Sequence, residues 1–149
     1  AHYTVHGTGT ILQSVAEKDI AWHAGNSAVN KRSLGIEIQG QAAKANWTGI
    51  QLNQVARLTA ALARKYNIPI DRDHIKGHVE VSGPGGHWDP GPHFPWVQFM
   101  GMVKKAYSDP LARVKQAAFS WGLPLALAVG GLVAVYFIEK AVEKKQGKR

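Results

Sequence analysis

Leu34-Gly35-Ile36-Glu37-Ile38-Gln39 is the stretch on which the fold turns. Its apolar and polar residues alternate with the period of a β-strand, which puts Ile36 and Ile38 on one face and Gly35, Glu37 and Gln39 on the other. One face is thus suited to a core and the other carries the Glu37 carboxylate. Upstream, Tyr3–Val5 and Thr10–Gln13 read as two more short strands, joined by the hairpin-like His6-Gly7-Thr8-Gly9. Downstream, Thr48-Gly49-Ile50-Gln51 matches a helix-capping box, and Ile50, Val55, Leu58, Leu62 and Tyr66 recur near helical spacing. That helix is expected to end at Tyr66, before Asn67 and Pro69. His78–Val81 again alternates polar and apolar, and the turn-rich Ser82-Gly83-Pro84-Gly85-Gly86 follows it. Residues 1–103 therefore read as one α/β domain.

The remainder has a different character. No residue between Lys115 and Glu139 is charged, and at about 1.5 Å per residue that run makes roughly 35 Å of helix, enough for a bilayer core. Trp121 and Tyr136 lie near its ends, where amphipathic rings prefer the headgroup level. The reading is a juxtamembrane helix start at 104–115, with Asp109 as N-cap and Pro110 in the first turn, then a single transmembrane helix at 116–138 and a basic tail at 139–149. Gly122, Ala126, Gly130 and Ala134 share one slowly drifting face, as helix association in lipid requires, so a helix partner or a homo-oligomer is expected.

Charge supports this division. Residues 1–103 hold nine basic and seven acidic side chains, whereas 104–149 hold nine and three. The excess flanks the apolar run instead of covering a folded face interleaved with aromatics, which excludes a nucleic-acid binder and suits a lipid surface. The chain of 149 residues contains no cysteine, so disulfide scaffolds, thiol nucleophiles and thiolate zinc sites are also excluded.

Seven histidines in so short a chain point to chemistry. Five stretches concentrate His and carboxylate groups on strand ends and loops: Ala21-Trp22-His23-Ala24-Gly25, Gly35-Ile36-Glu37-Ile38, Gly77-His78-Val79-Glu80-Val81, His87-Trp88-Asp89-Pro90-Gly91 and Phe94-Pro95-Trp96. A catalytic zinc takes three protein N or O ligands and keeps one position open, and His78 and Asp89 are ligands of suitable type.

In their order, these stretches resemble the zinc-dependent N-acetylmuramoyl-L-alanine amidases, relatives of the peptidoglycan recognition proteins, over roughly residues 1–100. The resemblance implies a mixed β-sheet flanked by helices, a shallow groove, one Zn2+ and peptidoglycan as partner. By position it makes His78 and Asp89 metal ligands, Glu37 the catalytic carboxylate that orients or deprotonates water, and His87 the donor that stabilises the oxyanion. Trp22 and His23, in the loop "WHAGN", would form a groove wall that touches glycan or peptide. The family's third ligand is a His on a strand ahead of "AHYTV". Because the chain opens on Ala1 already in strand-like sequence, such a strand and its His are expected upstream. The reading is a membrane-anchored hydrolase facing the cell wall, in a bacterial membrane or that of a bacteriophage virion. Its rival is a non-catalytic amidase-like module that binds peptidoglycan or serves as a structural membrane protein.

Overall fold

The computed structural model describes residues 1–44, 46–83, 85–110 and, for the backbone, 132–139. A five-stranded sheet carries the site. Its strands are β1 (Tyr3–Val5), β2 (Ile11–Gln13), β3 (Ser33–Gln39), β4 (Ile75–Gly77) and β5 (Leu132–Glu139), in the spatial order β2-β1-β3-β5-β4. β1 runs parallel to β3, and β5 runs antiparallel to both β3 and β4. The sheet is mixed and helices flank it, so the α/β architecture expected from the sequence is present.

The helices are the four-residue α1 (Ser27–Asn30), α2 (Gly49–Tyr66) and α3 (Trp96–Ser108). The Thr48 side chain accepts the Gln51 backbone N–H, and Asn67 closes α2 in the left-handed region at φ 54°. Both ends therefore fall where the caps place them. The Gln51 side chain does not complete the capping box. Its amide donates instead to the Val5 and Gln39 carbonyls, tying the helix start to the ends of β1 and β3. Leu34, Ile36 and Ile38 of β3 are fully buried in one core with Val55, Leu58 and Leu62 of α2 and with Phe99 and Val103 of α3. A second fastening lies at the far end of α2, where Glu17 accepts hydrogen bonds from Tyr3, Tyr66 and Lys65. Burial alone would raise the Glu17 pKa, but these three donors outweigh it and hold the carboxylate below its ordinary value.

Three expectations are corrected. His78–Val81 is not a strand, because β4 ends at Gly77 and His78–Glu80 turns as a 3-10 helix. The alternation there falls on a turn instead of a pleat. α3 is a helix that the sequence reading does not include, and a boundary after Val103 falls inside it; Asp109 is extended between α3 and the helical Pro110, where the expected helix start lies. Leu132–Glu139, placed at the end of a transmembrane helix, pairs as β5. The run Leu-Val-Ala-Val-Tyr-Phe-Ile is rich in β-branched and aromatic residues, which strands accommodate well. Among the described residues no helix is long and apolar enough to cross a membrane. The rest of the expected span, with Gly122, Ala126 and Gly130 of its small-residue stripe, and the tail at 140–149 lie outside the described residues, whereas Ala134 lies in β5.

Candidate active site

Two segments meet at the C-terminal end of β4. The Val79 N–H donates to the Asp89 carbonyl at 3.0 Å. Gly77 lies so close to Pro90 that an added Cβ would stand 2.6 Å from the proline Cδ, which only glycine avoids. This contact brings His78 and Asp89 side by side, 5% and 8% exposed. His78 Nδ1 is 3.3 Å from Asp89 Oδ2. His87 stands next to them, with its Nδ1 3.7 Å from Asp89 Oδ1 and its ring stacked on that of His78 at 4.0 Å and 15°.

Donor atoms of the three residues lie within 4.8 Å of one another, and no other group of three or more His or acidic side chains so clusters among the described residues. Two imidazoles and a carboxylate are ligands that zinc accepts, and ligands of a tetrahedral zinc at about 2.0–2.1 Å stand roughly 3.3 Å apart. The His78–Asp89 pair has that spacing. Imidazole lone pairs lie in the ring plane, so two nearly parallel rings do not aim at one point. His87, with most of its side chain exposed, accordingly stands beside the pair and does not converge with it.

Glu37 approaches from β3. Ile36 and Gly77 both pair with Tyr136 of β5, so Glu37 and His78, each one residue further on, stand at the same level. Two inter-strand spacings separate those strands, about 10 Å of backbone. The Glu37 side chain is 18% exposed, on the face opposite the Ile36–Ile38 core.

The loop Trp22–Gly25 borders the site, because a Cβ at Gly25 would lie 4.0 Å from His78 Nε2. Asn30 Oδ1 holds this loop by accepting the His23 and Ala24 N–H groups. The two residues expected to line the groove separate sharply. Trp22 is 80% exposed, whereas the His23 ring is buried against Gly35, where a Cβ would collide with it at 2.5 Å. His23 Nδ1 donates to the Ala21 carbonyl at 2.6 Å, and Nε2 faces the Ser33 hydroxyl at 3.0 Å. A ring so engaged supports the loop and the floor of β3, and of this pair it is Trp22 that stands open to solvent.

Burial lowers the His23 pKa to about 4, against the opposing pull of the Ala21 carbonyl. Above the unfolded value near 6.5 the ring is neutral in both states and has no effect on stability. As pH falls from about 6.5 to about 4, only the unfolded chain takes up the proton, and roughly 3 kcal/mol of stability is lost. Denaturant titrations of the metal-free chain at pH 7 and pH 4.5 should show this loss, and His23→Gln should flatten it. An equally steep acid dependence in His23→Gln would assign the effect to another group.

The sequence profile of the N-acetylmuramoyl-L-alanine amidases matches residues 1–92. The chain belongs to that family. Among its relatives, N-acetylmuramoyl-L-alanine amidase A of Achromobacter lyticus is 32% identical over 74% of this chain and 71% of its own length. The 1,6-anhydro-N-acetylmuramyl-L-alanine amidase AmpD of Haemophilus influenzae is 34% identical over 70% of this chain and 58% of its own. N-acetylmuramoyl-L-alanine amidase AmiD of Escherichia coli is 29% identical over 73% of this chain and 46% of its own. The chain thus spans about half the length of the last two. No solved structure matches it. As an amidase, it requires a way to activate water and a way to stabilise charge on the carbonyl oxygen, and the groups around His78 have the types for both.

Proposed function

We propose that this amidase hydrolyses the amide between N-acetylmuramic acid and the L-alanine of the peptidoglycan stem peptide, with zinc held by His78 and Asp89. The observation that carries the reading is the buried His78–Asp89 pair, at ligand spacing and level with Glu37 across the sheet. Zinc in that position supplies Lewis-acid polarisation of the carbonyl and a lowered pKa for a water molecule. Glu37, on the groove-facing side of β3, accepts the proton of the attacking water and passes it to the departing nitrogen. His87 is exposed and adjacent, and its N–H stabilises the negative charge that develops on the carbonyl oxygen. Trp22, presented by a loop fastened through Asn30, offers a flat ring to the glycan or peptide.

Release of stem peptide from purified peptidoglycan, with and without a chelator and with zinc restored, tests the proposal. Loss on chelation and recovery with zinc are expected. A chain that binds peptidoglycan without zinc and releases no peptide would instead be the non-catalytic module. Trp22→Ala should raise KM about 3- to 10-fold with kcat and zinc content unchanged, as loss of one aromatic contact worth about 0.5–1.5 kcal/mol requires. An unchanged KM would remove Trp22 from the groove.

A membrane location, with residues 1–103 facing the cell wall, forms the second part of the proposal. It is supported by the uncharged run Gln116–Ile138 and the basic residues on both sides of it. It competes with β5 for Leu132–Ile138.

A further inference from the structure

Glu80 belongs to the stretch that carries His78, yet none of the roles above uses it. Its Oε2 accepts the Gly77 N–H at 2.6 Å and lies 2.5 Å from Arg72 Nη2. Arg72 reaches back through Nη1 to the Ile75 carbonyl, so one guanidinium joins the first residue of β4 to the far side of the 3-10 turn. The guanidinium carbon lies 3.2 Å above the Trp96 ring. Trp96 in turn presses on Gly77, where a Cβ would stand 3.3 Å from its Cζ2. The peptide that leads into His78 is thereby held by a carboxylate, a cation and an indole, none of which touches the metal position.

We propose that Glu80, fixed by Arg72 and Trp96, is the positioning residue of the metal site. The inference rests on His78 and Asp89 being the zinc ligands. A 3-10 turn of three residues has few internal bonds, and its orientation depends on what anchors it. Glu80 supplies that anchor by bonding the N–H of the residue before His78. The Val79 N–H then reaches the Asp89 carbonyl, and the second ligand takes its place from the first. Without the carboxylate, the Gly77 N–H and the Arg72 guanidinium both lose a charged partner. The turn can then rotate, and the His78–Asp89 spacing widens. Outer partners that fix ligand orientation typically change metal affinity about 10- to 100-fold.

The test is zinc affinity of the full chain, measured by competition with a chromophoric chelator, together with the absorption spectrum of the cobalt form. Glu80→Gln should weaken zinc binding at least about 10-fold and alter the cobalt spectrum. Arg72→Met should do the same, and the double variant should be no weaker than the worse single, because the two residues act through one path. Glu17→Gln is the control for stability alone, since it lowers the melting temperature through the Tyr3–Tyr66–Lys65 cluster and should leave zinc affinity unchanged. Unaltered affinity in Glu80→Gln would overturn the positioning role, as would an equal loss in Glu17→Gln. Failure of both Glu80→Gln and Arg72→Met to fold without metal would also overturn it, since Glu80 would then determine the fold and not the site. Absence of zinc binding in the unmodified chain, or binding indifferent to His78→Ala, would instead overturn the metal assignment on which the inference stands.

Discussion

His78→Ala and Asp89→Ala should each lose zinc and amide cleavage together, whereas Glu37→Gln should keep its zinc and lose nearly all turnover. The distinction follows from where the three side chains stand. His78 and Asp89 are buried at ligand spacing, so removing either leaves one protein donor of that pair and a cavity in its place. Glu37 comes from another strand, about 10 Å of backbone away, and its partly exposed side chain lies on the face opposite the Ile36–Ile38 core. Replacing it by the isosteric amide removes the proposed proton acceptor without disturbing the pair. Positioned general bases contribute about 10²–10⁴ in rate, and a loss of that size in kcat is expected. His87→Ala should fall between these classes. It should retain zinc, because its ring runs parallel to that of His78, and lose about 10²–10³ in kcat as an oxyanion donor. Metal content by elemental analysis, read beside stem-peptide release, separates the three behaviours. Loss of zinc from Glu37→Gln would make that carboxylate a ligand, and loss from His87→Ala would make His87 one.

The limits of the sequence reading have a physical basis. β3 was legible because alternation in a half-buried strand needs no knowledge of its neighbours, and α2 because both of its caps are side-chain devices local in sequence. His78 failed as a strand residue because three alternating residues fit a 3-10 turn as well as a pleat, and the force that chooses comes from Glu80 and Pro90. His23 and Trp22 are adjacent in one loop with opposite fates, decided by Asn30 and by the absence of a side chain at Gly35. Long-range contacts of this kind leave no periodic trace. Phe94-Pro95-Trp96 leads into α3 without a side-chain cap that would mark the helix start. Its apolar residues Phe99 and Val103 bury against a core that α2 and β3 create.

A chain ending at Asp109 should lose cooperative folding and, with it, zinc affinity. In the described structure β4 pairs with β5, and β5 with β3, so β5 alone connects the strand that leads into His78 to the strand that carries Glu37. Its removal opens a gap of two inter-strand spacings, about 10 Å, and leaves the facing edges of β3 and β4 with unpaired backbone groups. Core packing from α2 and α3 covers one face of the sheet but cannot supply those bonds. Circular dichroism through a thermal ramp, with zinc titration of the same sample, would show a broad, early transition and weak metal binding. The opposite outcome is equally informative. A truncated chain that melts sharply and binds zinc as the full chain does would take Leu132–Glu139 out of the sheet. It would leave the uncharged run from Gln116 to Ile138 available for the proposed bilayer span, which its length of about 35 Å as a helix suffices to make. Residues 132–138 cannot serve both purposes at once. The same truncation therefore decides whether Leu132–Glu139 completes the sheet that holds the site.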